Sequence, residues 1–429
     1  MKRIQFYTII YLLALCLPGC SETSGFKNEP LPEPGDHGIA NIELDISLLD
    51  LAANVRTRAG EKYEGTTNPQ ELINMLRIII VDGDGYVEHN RLIDLKEEPK
   101  SDYKSGIFKV KASDTKQVYI FANELPMTDQ WVGNGYYPFG NLLPGLKFDA
   151  PASGETVSPK DAIENLIVKA DPETHILFDN TGETKTNIPI NEHFEFKVGE
   201  ADYNSENGLG TIDNPYIYNC FITRAATKFT FNATYEGAEG LPDKGTLTIK
   251  EIHLNAIGDR EYLLPNNAVY DPVKSNPLEP SGSSETIVIA KNITSFDVPD
   301  GAINKDLVFP VGFEFTKSSS ESETFGQNIY YPETIISSDN KYRIRIVTTS
   351  NYGENSTTET EDNVLTSQWV ELDNLPLLPR NTHVVVNITL KTEIVDGEVD
   401  LVPYIGIVLT PGFGFNQLLP GDHERPEDW

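Results

Sequence analysis

From Ile42 to Leu48 the chain alternates strictly: Ile42, Leu44, Ile46 and Leu48 are apolar, while Glu43, Asp45 and Ser47 are polar. A period of two predicts a β-strand with one buried face. The run Leu76-Arg77-Ile78-Ile79-Ile80-Val81 is almost continuously apolar and predicts a buried strand. Asp82-Gly83-Asp84-Gly85 then turns the chain back into Tyr86-Val87, a hairpin signal. Residues 107–110 and 117–122 predict further strands, and 124–156 a long loop rich in Gly, Pro and aromatics. Ser158-Pro159-Lys160-Asp161 has the makings of a helix start, with Ser as N-cap and Pro in the first turn, leading to about Leu166. Beyond Phe221 the strand signals resume at 227–234, 246–254, 286–290, 307–311, 342–348 and 383–390. In one of them Tyr342, Ile344 and Ile346 oppose Arg343 and Arg345. Strands at this density predict an all-β chain of antiparallel β-sandwiches.

The punctuation of the pattern predicts the domains. A stretch rich in Asn, Gly, Asp and Ser, 199–219, separates a first domain, 59–219, from a second, 220–390. Residues 391–429 form a C-terminal element in which Val399, Leu401, Ile405, Ile407 and Leu409 share one face. Pro403 interrupts that face, which fits an edge strand but not a sheet centre. At roughly 100–200 residues per domain, 429 residues suit two domains.

Charge narrows the partners. The chain has 34 Lys and Arg against 65 Asp and Glu, a net −31, so a nucleic acid partner is excluded by repulsion of its phosphates. Cysteine narrows the chemistry. Cys16 and Cys20 fall in the N-terminal apolar segment, leaving Cys220 alone in the body, without a thiol to pair with or a cluster to hold zinc or iron. Cys220 lies inside the strand-like run Tyr-Ile-Tyr-Asn-Cys-Phe-Ile and reads as a buried, inert thiol. Asp82–Gly85 invites a calcium loop, but such a loop wants an acid and a Gly where Tyr86 and Val87 stand, so the turn reading prevails. The seven histidines are scattered, and no nucleophile elbow, phosphate loop or dinucleotide fingerprint is present. Among so many carboxylates a glycosidase pair could be drawn anywhere, which has no discriminating content. No catalytic residues, metal or cofactor are expected.

The first twenty residues carry a targeting signal. Lys2 and Arg3 precede an apolar stretch too short to span a bilayer. It ends Leu17-Pro18-Gly19-Cys20, which resembles a lipoprotein box. The expectation is cleavage between Gly19 and Cys20 and lipidation of Cys20, with two or more acyl chains holding the precursor on the membrane. Residues 21–38 are Ser, Gly, Pro and Glu rich, a flexible tether. Arg56 and Arg58 stand in a polar hinge after the first strand, either as a solvated basic turn or as the cut site of an Arg-specific protease.

Four features in order resemble the fimbrillins of Bacteroidales, the FimA/Mfa-like subunits of type V pili. They are the lipobox followed by an alternating strand and Thr57-Arg58-Ala59; the pair of 76–81 with Val118-Tyr119-Ile120-Phe121-Ala122-Asn123; Thr223-Arg224-Ala225-Ala226-Thr227-Lys228-Phe229; and Leu378-Pro379-Arg380-Asn381-Thr382-His383-Val384. Thr227 stands where the family usually has Ala, and Val384 where it has an aromatic. The resemblance implies two transthyretin-like sandwiches, no catalysis and a stalk subunit of a surface fimbria. It implies a propeptide, 21–58, removed between Arg58 and Ala59, with Arg56 as the alternative cut. It also implies a removable strand (Ile42, Leu44, Ile46, Leu48) and a C-terminal donor strand that refills its place. The implied partners are other pilus subunits, the lipoprotein export machinery, an Arg-specific surface protease and an unidentified host or bacterial surface ligand. The implied location is the outer membrane, then the extracellular fimbrium. The competing expectation is a glycan-binding surface lipoprotein serving a carbohydrate importer, with Trp131, Tyr136, Tyr137 and Phe139 as a sugar platform. A pilus subunit loses residues 21–58, whereas such a lipoprotein keeps them.

Overall fold

The computed structural model describes residues 38–48, 68–124, 139–170, 187–205, 207–236, 246–266, 269–270, 293–300, 304–316, 323–335, 341–350, 363–372, 377–395 and 398–411. Strands are the dominant regular structure of the described residues, in two sandwiches.

The first sandwich is built from β1 (Ile39–Leu48), β2 (Met75–Val81), β3 (Val87–Asp94), β4 (Asp102–Lys111), β5 (Asp114–Ala122), β7 (Ile190–Val198) and β8 (Tyr216–Arg224), with β6 (Ile167–Lys169) in the β5–β7 excursion. The strand order is β3-β2-β5-β7-β8-β1-β4. β7 and β8 pair at Ile190–Arg224 and Asn191–Thr223, where the sheet folds over. Its two halves close on a shared core that includes Ile42, Ile78, Phe108, Ile120, Phe196 and Tyr218. Cys220 is in that core, fully buried, and burial pushes its thiol well above the usual range. The expected inert thiol is what the packing produces.

β2 is buried on both faces because two cores meet it. Ile78 and Ile80 face the sandwich interior, while Ile79 and Val81 lie under a second cluster with Phe139, Phe148 and Leu166. That double covering is the physical reason for a continuous apolar run rather than an alternating one. The turn after β2 is closed by its own first residue: Asp82 Oδ1 accepts from the backbone N–H of Asp84 at 3.0 Å and of Tyr86 at 2.8 Å. Gly85 takes a φ of 82°, which suits a residue without Cβ. The helix α1 (Pro159–Glu164) starts as its sequence predicts, with Ser158 Oγ accepting from Asp161 N–H at 3.0 Å.

The second sandwich comprises β9 (Thr227–Glu236), β10 (Thr246–Gly258), β11 (Arg260–Tyr262), β12 (Val269–Tyr270), β13 (Ile293–Ser295), β14 (Asn304–Thr316), β15 (Glu323–Tyr331), β16 (Thr334–Ile335), β17 (Arg343–Ser350), β18 (Asn363–Thr366), β19 (Val370–Glu371), β20 (Leu377–Leu378), β21 (Thr382–Val395) and β22 (Glu398–Pro411). One sheet runs β14-β10-β17-β18, with β19 also on β17, and the other runs β15-β9-β21-β22. Phe229, Phe231, Leu247, Ile252, Ile344 and Val386 are among the side chains that fill the space between them. The strand expected at 286–290 lies outside the described residues.

Two pairs depart from the antiparallel expectation. β1 runs parallel to β8, and β21 runs parallel to β9. Each pair joins strands far apart in sequence, where a long crossover permits the parallel direction. The chain passes between sandwiches through Ala225 and Ala226, so the Asn- and Gly-rich stretch before β8 is an excursion within the first sandwich. At the C-terminal end β21 continues through Leu390 to Val395, carried by the β-branched run Thr392, Ile394 and Val395.

Candidate functional site

The predicted removable strand occupies a slot with neighbours on both sides. β1 pairs with β4 antiparallel and with β8 in parallel. Ile42, Leu44 and Ile46 are fully buried and Leu48 is 7% exposed. At ~1.5–3 kcal/mol per buried aliphatic side chain, these four supply roughly 6–12 kcal/mol gross. A register shift between Glu43 and Asp45 is bridged by Ser105, whose Oγ accepts from Leu44 N–H at 2.9 Å. Near the start of the strand Asn41 donates from its backbone N–H and from Nδ2 to Gly210 O, at 2.8 and 3.0 Å. The strand is therefore held by ladders, an apolar face and a side-chain clasp.

Beside the slot, the two outer edges of the first sandwich are stitched by side chains. His89 Nε2–H donates to Lys109 O at 2.6 Å, and Arg91 Nη1 donates to Ser105 O at 3.0 Å. The Arg91 guanidinium also lies 4.0 Å from the Phe108 ring centroid. Polar groups of β4 that an edge strand would offer to a newcomer are thus engaged from within, a common defence against unwanted strand addition.

The predicted donor residues lie on β22. It forms a hairpin with β21, in which Val399 faces Ile394, Leu401 faces Thr392, Ile405 faces Ile388, Ile407 faces Val386 and Leu409 faces Val384. β22 is the outer strand of its sheet, and Ile405 packs partly against the second core. Pro403 is thus on an edge, where a missing N–H is tolerated.

The two other motifs, 223–229 and 378–384, come together at the junction of the sandwiches. Arg224, fully buried, donates from Nε to Glu71 O at 3.0 Å and from Nη1 to Asn381 Oδ1 at 3.1 Å. Asn381 returns its N–H to the carbonyls of Arg224 and Ala226, and holds a φ of 52°, a conformation Asn tolerates. Lys228 Nζ meets Glu71 Oε1 at 2.7 Å, and Tyr330 donates its hydroxyl to the same oxygen. β6 and β11 add a short antiparallel ladder between the two halves. Nothing in the sequence pattern marks Glu71 or Tyr330 as partners of these motifs, because 153 and 259 residues separate the bonded positions.

A second buried cluster stands close by. Arg380 pairs with Glu333 and donates from Nη1 to Leu263 O at 2.7 Å. Glu261, fully buried, accepts Glu333 N–H at 2.7 Å. Burial pushes Glu261 up to about 8; Arg380 opposes the shift and Glu333 adds to it. The folded value lies above the unfolded carboxylate value of about 4.3. The native state therefore holds the extra proton between these limits. This contribution to stability is complete below about pH 4.3 and is lost as pH rises through about 8. Glu261→Gln, neutral at every pH, is expected to melt near the wild type at pH 5 and above it at pH 8.5, by on the order of 1–3 kcal/mol. Thermal unfolding followed across that range checks this; parallel curves for the two proteins contradict it.

Gly19, Cys20, Arg56, Arg58 and Ala59 lie outside the described residues, as do Trp131, Tyr136 and Tyr137. Phe139, the remaining member of the expected sugar platform, is 3% exposed and packs on Phe121 with ring centroids 4.7 Å apart. It serves the core, not a surface. No helix among the described residues is long and apolar enough to cross a membrane.

No family model matches the chain, and no curated protein matches it. Solved structures do. A cell adhesion candidate from Parabacteroides distasonis is similar at 14% identity and a TM-score of 0.46, over 87% of this chain and 98% of that one. A fimbrial assembly protein from the same species matches 87% of this chain and 99% of its own, at 11% identity and a TM-score of 0.34. The chain is also similar to the C-terminally truncated tip fimbrial protein Mfa3 from Porphyromonas gingivalis, at 13% identity and a TM-score of 0.43, over 86% of this chain and 99% of that one.

Proposed function

We propose that the chain is a structural stalk subunit of a cell-surface fimbria, exported as a lipoprotein through Cys20. An Arg-specific protease cuts it between Arg58 and Ala59, with Arg56 as the alternative, and it polymerises by strand exchange. Fimbrial and cell adhesion are also the words that describe solved structures it resembles. The observation that carries the reading is the placement of β1. It is fully inside a sheet, yet it joins the rest of the fold along the chain through the segment that holds Arg56 and Arg58. One cut there leaves β1 held by non-covalent contacts alone. Its loss would open an apolar slot flanked by the unpaired backbones of β4 and β8, a template for an incoming strand.

β22 suits that slot for an energetic reason. At home its ladder is with β21, whereas between β4 and β8 a strand gains a ladder on each side. Its odd-numbered face, Val399, Leu401, Ile405, Ile407 and Leu409, carries the same alternation as β1. A head-to-tail joint of this kind does not close on itself and propagates into a filament.

The experiment is N-terminal sequencing of protein from shed surface filaments, with an Arg56→Ala, Arg58→Ala double variant beside it. The expected N-terminus is Ala59 (or Thr57 if Arg56 is cut), and the double variant should remain a full-length membrane lipoprotein without filaments. Cys20→Ala should lose acyl label and membrane association. Normal filaments from the double variant would overturn the cleavage model.

A further inference from the structure

On β17 Tyr342, Ile344 and Ile346 are fully buried, so Arg343 and Arg345 lie on the outer face of the second sandwich. Among the described residues Arg77, Arg260 and Arg380 pair with the carboxylates of Glu124, Asp259 and Glu333, while Arg91 and Arg224 are held by backbone carbonyls, with the Phe108 ring and Asn381 respectively. Neither Arg343 nor Arg345 has a carboxylate partner among the described residues. Two carboxylates on the neighbouring strands are engaged elsewhere. Glu371, across the ladder from Arg343, pairs with Lys341 at 2.9 Å, and Glu251 takes the His253 Nε2–H at 2.8 Å. That bond leaves His253 Nδ1 to accept from Arg345 Nη2, at 2.9 Å. The Arg345 guanidinium lies 4.7 Å from the Trp369 ring centroid, and His253 meets the same indole edge-on at 6.4 Å. The Nε atoms of both arginines are buried and make no hydrogen bond.

Two arginines two positions apart on one face of β17, one of them stacked on a half-buried indole and bonded to His253, have no carboxylate partner among the described residues and keep donors for an incoming oxyanion. Guanidinium presents forked donors that match planar or tetrahedral oxyanions, and aromatic faces pack against the C–H faces of sugar rings. We propose that Arg343, Arg345, His253 and Trp369 form a binding site for an oxyanion-bearing saccharide, a sugar with a sulfate ester or a carboxylate. The site lies on the outer face of a sheet, which leaves room for an extended polymer laid across it. The net charge of −31 opposes the adhesion of a polyanion by bulk charge, so binding must come from a local site. At physiological salt, screening over about 8 Å confines the repulsion to near neighbours. The site is separate from β1 and from polymerisation, so its failure would leave the fimbrial reading untouched.

Calorimetry of the full chain with dextran sulfate, polygalacturonate, neutral dextran and poly-glutamate, in about 0.15 M salt, tests it. One or both charged saccharides should bind and neutral dextran should not; which of the two binds names the oxyanion. Arg343→Gln, Arg345→Gln together should weaken binding by about tenfold or more, and Trp369→Ala several-fold, with melting temperatures confirming folded variants. No binding of either charged saccharide, or equal binding by the double arginine variant, would overturn the site. Poly-glutamate bound as tightly as the saccharides would overturn the assignment of a sugar.

Discussion

A chain that begins at Ala59 is expected to assemble into head-to-tail oligomers, and the same chain ended after Val395 is expected to remain a folded monomer. Without residues 1–58 the first sandwich lacks β1, and with it the roughly 6–12 kcal/mol gross that its four buried side chains supply. That is comparable to a domain's whole stability of about 5–15 kcal/mol, so the slot must be refilled or the sandwich weakened. The cut after Val395 removes β22 and keeps all of β21, whose core-facing Val384, Val386, Ile388 and Leu390 hold the second sandwich. A peptide of residues 38–48, added in trans, should bind the slot, raise the melting temperature of the truncated chain and block oligomers of the longer one. Its Leu44→Asp variant should do neither, because it puts a charge at a fully buried position. Light scattering with a melting curve reads all of this. A monomeric 59–429 chain, or a second sandwich that unfolds without β22, would remove strand exchange from the account.

Arg380→Met is expected to be among the most damaging single changes in the second sandwich. Arg380 is 2% exposed, and its guanidinium is the cation beside Glu333 and Glu261, both buried. Removing one partner of a buried pair costs roughly 3–5 kcal/mol, because the remaining charge is left desolvated. The carbonyls of Leu263 and Tyr262 lose their donor as well. Adding Glu333→Gln to Arg380→Met should recover part of the loss, since the second change removes the stranded charge. Denaturant unfolding of the two single variants and the double variant gives the coupling directly. Additive losses would mean that the pair does not act as a unit.

Several elements were legible in the sequence because their causes are local. The β1 alternation, the continuous β2 run, the Asp82 turn and the Ser158 cap each follow from residues within a few positions of one another. The resemblance motifs were legible as strings, but their purpose was not. Arg224 and Asn381 bind each other across 157 positions, and no periodicity connects them. The parallel neighbours escaped for the same reason: a strand's side-chain pattern states which face is buried, not which strand lies alongside. The C-terminal pattern had a different ambiguity. An alternating segment with a Pro suits an edge strand at home and a donor strand abroad equally well, and its pairing with β21 is a property of backbone geometry alone. The pair Arg343 and Arg345, without a carboxylate partner among the described residues, was visible only as the polar half of a strand, because an absent counter-ion has no sequence signature.

The direction of β21 beside β9 has a mechanical meaning. The chain enters the second sandwich at Thr227, which lies opposite Thr382 at the start of β21. β22 folds back so that Thr410 lies opposite His383, at that same end of the sheet. Tension between Thr227 and Pro411 therefore peels β22 from β21 one rung at a time, the weak mode of loading a ladder. Once β22 is stripped, the pull moves to Val395 at the far end of β21. The parallel β9–β21 ladder, from Thr227–Thr382 to Glu236–Lys391, is then loaded in shear, with its rungs bearing force together. The second sandwich is thus built to yield its last strand under a small force and to resist a large one afterwards.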